Sequence, residues 1–173
     1  GKIFLPQPMQ SAEAVKACFD IIKSHEAQFS NSEAAGDGAS SGSDFEGISG
    51  KKKIIVATVH GDIHDIGKNI AKMLLENYGY DVIDLGRDVP SQIIVSAIKE
   101  HKVSLVGLSA LMTTTVKNMK DSISAIREAG LDCKIMVGGA VLNPEYADFT
   151  GADYYVKDAR ESVAIARNHF SCL

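Results

Sequence analysis

Tryptophan is absent from this 173-residue chain, cysteine occurs three times and proline four times, and charge of one sign is massed on no segment. Each shortage excludes something. Cys18, Cys133 and Cys172 are odd in number and far apart, which fits neither a disulfide framework nor a CxxC metal site and leaves reduced thiols that prefer burial. With 22 acidic and 18 basic residues the net charge is -4 and the basic ones are scattered, so no footprint for nucleic acid or anionic lipid is present. No apolar run approaches the roughly 20 residues that cross a bilayer, and no membrane partner is expected. The opening Gly1-Lys2-Ile3-Phe4-Leu5-Pro6 lacks the layout of a signal peptide, so a cytoplasmic location is expected.

What is present is a 45% hydrophobic content, enough for one main domain with a substantial core. Residues 1–27 stand apart from it. Ser11 can cap an amphipathic helix in which Val15, Cys18, Phe19 and Ile22 share a face, while Pro6 and Pro8 stop it from extending backward. Residues 28–51 are rich in serine and glycine and read as a flexible linker.

From residue 52 to 173 the pattern is a regular alternation of strands and helices. Strands are predicted near 53–59, 82–85, 104–108, 134–137 and 153–156. Between and after them lie helices. The first, over 66–78, presents Ile66, Ile70, Met73 and Leu74 on one face; Pro90 sits in the first turn of the next, which carries Ile94, Ala97 and Ile98. A third carries Met119, Ile123 and Ile126, a short one spans 144–149 and a terminal one 160–169. Continuous apolar strands separated by helices imply a five-stranded parallel sheet covered on both faces, a Rossmann-like (flavodoxin-like) α/β fold. The loops after strands one, three and four then share one sheet edge, where such folds bind ligands.

The loop after the first strand, Val59-His60-Gly61-Asp62-Ile63-His64-Asp65-Ile66-Gly67, carries the chemistry. It is not GxGxxG, and it misses GxxxxGK[ST] by one residue and by the hydroxyl. A receiver domain has no use for His64. A hydrolytic metal site drawn from His60, Asp62, His64 and Asp65 bunches every ligand in one loop. An imidazole that ligates a metal usually donates its other nitrogen to a carboxylate, and Asp62 is placed to accept. Asp65 can cap the following helix through its first-turn amides. His25, His101 and His169 are read as solvent-facing, and His60 is left without a role.

Three motifs in order, Asp62-Ile63-His64-Asp65-Ile66-Gly67, Ser109-Ala110-Leu111 and Gly138-Gly139, resemble the DxHxxG, SxL and paired-glycine signatures of cobalamin-binding domains. The continuation Ile66-Gly67-Lys68-Asn69 resembles the methyltransferase branch, with cobalamin-dependent methionine synthase as the nearest match and the corrinoid proteins of methylamine and methanol metabolism beside it. The resemblance covers residues 1 to about 169. It implies a corrinoid-binding methyl carrier within a methyltransferase, its cofactor cycling between methylcobalamin and cob(I)alamin with cob(II)alamin as a further form, and not a complete catalyst. His64 would be the axial ligand to cobalt, with Asp62 behind it and Thr115, where the family has serine, completing a relay. Gly61, Ile63, Asp65, Ile66, Gly67, Ser109, Leu111, Thr113, Gly138 and Gly139 would contact the cofactor, and Leu5 would shield the methyl face from a helical cap.

Caps of that kind have several helices and this chain supplies one, so a module of a longer polypeptide is expected. Its partners would be domains or subunits that bind methyltetrahydrofolate and homocysteine, and a reactivation partner. The alternatives are a corrinoid protein of methylamine, methanol or methoxy-aromatic methyl transfer, and a cobalamin-binding sensor.

Overall fold

The computed structural model describes residues 52–171. The expected N-terminal helix, cap remnant and linker, together with Leu5, Cys18, His25 and Cys172, lie outside the described residues.

Runs rich in isoleucine and valine form the five strands, because branched side chains pack well on a sheet buried from both sides. They are β1 (Lys53–Thr58), β2 (Asp81–Asp84), β3 (Leu105–Ser109), β4 (Lys134–Gly138) and β5 (Tyr154–Val156). The helices are α1 (Ile66–Asn77), α2 (Ser91–His101), α3 (Val116–Glu128), α4 (Pro144–Thr150) and α5 (Ala159–Ser171), with a 3₁₀ turn at Thr113–Thr115 before α3. Every pairing is parallel and the strand order is β2-β1-β3-β4-β5. The predicted fold is therefore the observed one, with element ends moved by one or two residues. The strand order reverses between β1 and β3, which opens a crevice at their carboxyl ends.

The helices divide unequally. α2, α3 and α4 cover one face, where Ile94, Met119, Ile126 and Ala147 join Ile55, Val106 and Ile135 in a large apolar cluster. α1 and α5 cover the other, where Leu75, Val163, Ala166 and Phe170 join Ile54, Leu105 and Met136 in a smaller one.

Four expectations need correction. On α1 the buried residues are Lys68 and Leu75, whereas Ile66 and Ile70 line an open cleft; periodicity registers an apolar stripe but not whether protein or ligand covers it. Pro90 is the residue before the first turn of α2, held at φ -60° and ψ 145°, and not inside it. Asp65 stands at the start of α1 without a side-chain cap; its backbone carbonyl alone accepts from Asn69 N–H at 2.8 Å. His169 does not face solvent freely: its Nε2 lies 2.9 Å from Ser104 Oγ and its ring packs edge-on against Phe170. Cys133 is free and buried, as expected. No helix among the described residues is long and apolar enough to cross a membrane.

Candidate functional site

The loop leaving β1 is held from three sides. Gly61 takes φ +82°, a conformation that glycine adopts without steric cost, and its N–H donates to Asp88 Oδ1 at 2.7 Å. Asp88 N–H returns a bond to the Asp62 carbonyl at 2.9 Å, and Asn118 of α3 donates to the His60 carbonyl at 2.7 Å. His60 Nδ1 lies 2.8 Å from the same Asp88 oxygen. On the other flank, Thr58 Oγ1 donates to the His64 carbonyl at 3.3 Å and lies 3.0 Å from Ser109 Oγ.

This clamp fixes a fully buried carboxylate. Asp62 Oδ1 accepts from His64 N–H at 3.0 Å and lies 2.7 Å from His64 Nδ1. Its Oδ2 accepts from Leu111 N–H at 2.7 Å, Met112 N–H at 3.3 Å and Thr115 Oγ1 at 2.9 Å. Burial alone would push this carboxyl up. The amides of Leu111 and His64, with the His64 ring and the Thr115 hydroxyl, outweigh it and hold the pKa down to about 2. Asp62 is therefore an anion at neutral pH, and an anion accepts from Nδ1. A neutral imidazole whose Nδ1 carries the proton keeps a bare lone pair on Nε2. That atom has no partner among the described residues, and the His64 side chain is 46% exposed. The Thr115 hydroxyl also reaches the Met112 carbonyl at 2.8 Å, so its single proton is shared between two acceptors.

In front of His64 a cleft of about 600 Å³ runs between α1 and α5 over the carboxyl ends of β3 and β4. Of the predicted contacts, Ile63, His64, Asp65, Ile66, Gly67, Ser109, Leu111, Gly138 and Gly139 line it. Asp62 and Thr115 stand behind His64. Gly61 and Thr113 are not in the lining: Gly61 faces Asn118, and Thr113 is exposed in the 3₁₀ turn. The mouth is oily, with Ile63 62% exposed, Ile66 44% and Leu111 39%. Soluble domains cover such patches with a ligand or partner.

The paired glycines have separate reasons. At Gly139, φ is +149° and a Cβ would collide with the Ala110 carbonyl, so the loops after β3 and β4 can touch only without a side chain there. At Gly138 a Cβ would sit 3.2 Å from the Val156 carbonyl. The tight strand exit and the small-walled cleft are the same feature.

Sequence reasoning missed several residues that build the site. Asp88 clamps the loop from a left-handed conformation at φ 54°, with no signal in its neighbours. Lys68 is buried with its Nζ 2.6 Å from Asp84 Oδ1 and 2.8 Å from Asn69 Oδ1. An aspartate closing the apolar run Val82-Ile83-Asp84 was the available clue to that pair. Among the described residues no cluster of three or more His, Cys, Asp or Glu could hold a free metal ion.

Residues 52–166 match the B12 binding domain. Dimethylamine corrinoid protein 1 of Methanosarcina acetivorans is 39% identical over 169 residues, covering 96% of this chain and 72% of that protein. The crystal structure of a cobalamin-binding protein from Desulfitobacterium hafniense DCB-2 is 40% identical at a TM-score of 0.67, covering 68% of this chain and 58% of that one. The methanol:cobalamin methyltransferase complex MtaBC from Methanosarcina barkeri is 30% identical at a TM-score of 0.69, covering 98% of this chain and 58% of that one. The chain thus spans less than three fifths of either solved chain. These relatives support the methylamine and methanol alternative and give no support to methionine synthase as the nearest match, nor to folate and homocysteine partners.

Proposed function

The chain belongs to the B12-binding domain family, and on that premise we propose that it carries methyl groups on cobalamin in a methyltransferase system of the methylamine type. The observation that carries the reading is the buried Asp62 carboxylate 2.7 Å from His64 Nδ1, behind an imidazole that lines an apolar cleft.

The residues present fit the group. A neutral imidazole is a good ligand for a transition metal, and a carboxylate on its other nitrogen raises its donor strength. Small side chains at Gly67, Ser109, Gly138 and Gly139 leave room for a large ligand, and Ile63, Ile66 and Leu111 offer it apolar surface. Bound cobalamin supplies a cobalt centre that accepts and releases a methyl group; the protein positions and tunes it. His64 would be the residue that holds the cobalt, through Nε2. Asp62 holds the Nδ1 proton and thereby keeps the Nε2 lone pair directed outward. A proton arriving at Asp62 removes that acceptor and weakens Nε2 as a donor, and Thr115 steadies the ionised form through Oδ2. The relatives' names point to a methylated amine as the source and to a separate methyltransferase subunit as the partner.

The test loads the 173-residue chain with hydroxocobalamin, reduces the metal to Co(II) and records electron paramagnetic resonance. With ¹⁵N-histidine the nitrogen hyperfine splitting should change from a triplet to a doublet, and His64→Gly should abolish it. A ¹⁵N-histidine doublet that survives in His64→Gly sinks the axial assignment, a ¹⁴N triplet there being the cofactor's own base, and no corrinoid binding at all sinks the function. Spectral methylation driven by methyltetrahydrofolate, with none from a methylamine and its methyltransferase, would return the chain to the methionine synthase branch.

A further inference from the structure

The carboxylate behind His64 is anchored twice, and the second anchor comes from a different strand. Asp62 Oδ2 is held by the loop after β3, through Leu111 N–H and the Thr115 hydroxyl. The Asp62 backbone is held by Asp88, in the loop after β2. Gly61 N–H donates to Asp88 Oδ1 at 2.7 Å and Asp88 N–H donates to the Asp62 carbonyl at 2.9 Å, so one residue grips the chain just before and just after the Asp62 Cα. Among the described residues, the remaining bond from outside the loop to the backbone of residues 61–64 is the 3.3 Å one from Thr58.

Asp88 is itself well fixed. The buried Val89 that follows it pairs with Val59, and Val89 N–H donates to the Thr58 carbonyl at 3.0 Å. The Asp88 side chain is half exposed at the rim and does not line the cleft. Its φ of 54° is left-handed, a conformation that aspartate tolerates and glycine adopts more readily. The turn alone would be served at least as well by glycine. What the carboxylate adds is an acceptor for the Gly61 amide, and that amide, ahead of the nearby His60, holds the Asp88 carboxyl below the usual carboxylate range.

Resting on the corrinoid reading above, we propose that Asp88 is a positioning residue for the metal-binding histidine. Through Gly61 and the Asp62 backbone it sets where the buried carboxylate stands behind His64 Nδ1, and so how firmly Nε2 holds the cobalt. The 2.7 Å separation of Asp62 Oδ1 from Nδ1 tolerates little displacement, because hydrogen bonds weaken steeply with distance and angle. A ligand whose orientation is fixed in advance outcompetes a free one, and loosening the fixture lowers that advantage.

The test sets free imidazole against His64. The 173-residue chain, labelled with ¹⁵N-histidine and loaded with hydroxocobalamin, is reduced to Co(II), and unlabelled imidazole is added until the ¹⁵N doublet gives way to a ¹⁴N triplet. Asp88→Gly keeps the left-handed turn and the backbone bond to Asp62 and removes only the carboxylate. Its midpoint should come at about three- to tenfold less imidazole, the factor that one hydrogen bond of ordinary net strength supplies. Asp88→Asn keeps an acceptor oxygen for the Gly61 amide and should stay within about twofold of the unaltered chain. An unchanged midpoint in Asp88→Gly overturns the proposal, even if urea unfolding shows a loss of stability, since that is the mark of a purely structural residue. A midpoint that falls as far in Asp88→Asn as in Asp88→Gly also overturns it. If the unaltered chain binds no corrinoid or shows no ¹⁵N doublet, the corrinoid reading itself falls, an outcome distinct from a doublet that Asp88 does not influence.

Discussion

The two faces of this sheet use the same five strands and reach opposite ends. Among the described residues, the cluster under α2, α3 and α4 holds twenty buried apolar residues and that under α1 and α5 holds eight. The strands show how. On the first face β3 and the residue after it read Val106, Leu108, Ala110, apolar to the end, and β4 reads Ile135, Val137. On the second, β3 reads Leu105, Gly107, Ser109, β1 reads Ile54, Val56, Thr58 and β4 reads Met136, Gly138. Side chains shrink or turn polar toward the carboxyl edge on that face alone. The cleft is thus made by thinning one face of a sheet whose other face holds the domain together, so stability and ligand space fall on alternate residues of one strand.

The widest break in this comparison should come from β4. Ile135 is fully buried in the large cluster, and Ile135→Ala should cost about 2–5 kcal/mol in urea unfolding, the range for deleting a core isoleucine side chain. A loss below about 1 kcal/mol would show that this face is not what holds the fold. The next effect is in acid. The folded pKa of Asp62 lies below its unfolded value, so its contribution is present in full above about pH 4 and is lost as pH falls toward about 2. The shift corresponds to about 2 kcal/mol. Asp84 and Asp153 are also held low: burial opposes this in each, but Lys68, the Gly86 amide and Lys72 together outweigh it in the first case, and Lys134, the Ile135 amide and Arg127 together in the second. The informative measurement is therefore a difference. Asp62→Asn should flatten part of the acid limb between about pH 4 and 2, and identical limbs would remove Asp62 from it.

The same contrast explains what the sequence made legible. The parallel sheet and the carboxyl-edge loops followed from apolar runs separated by helices, because burial on both faces leaves a continuous signal. Asp62 and His64 stood out in the loop after the first strand and Thr115 was implied by the resemblance, and the structure joins the three in one hydrogen-bonded unit. The α1 stripe did not reveal its covering, because Ile66 and Ile70 are as apolar as core residues while lining the cleft. Asp88 was invisible because its role is backbone geometry plus one long-range carboxylate bond, neither of which leaves a local pattern. Gly107 looked like any glycine in Leu105-Val106-Gly107-Leu108 until its register between Val56 and Met136 was known.

Smaller effects refine the division. Thr115→Val should cost about 1 kcal/mol, because the carboxylate keeps its amide partners while the bonds to Asp62 and the Met112 carbonyl are lost together. Loss of several kcal/mol would mean that the hydroxyl, and not the amides, holds Asp62 ionised. Ile66→Ala should move stability least, within about 0.5 kcal/mol, since the side chain lies at the open mouth and leaves no cavity in the core. Its effect should appear in binding, where losing the apolar surface of an isoleucine side chain weakens corrinoid affinity by roughly tenfold. Urea unfolding and cobalamin titration of this one variant therefore set the two faces directly against each other. A stability loss matching that of Ile135→Ala, with affinity unchanged, would make α1's exposed stripe part of the core after all and remove the distinction between a face that folds and a face that binds.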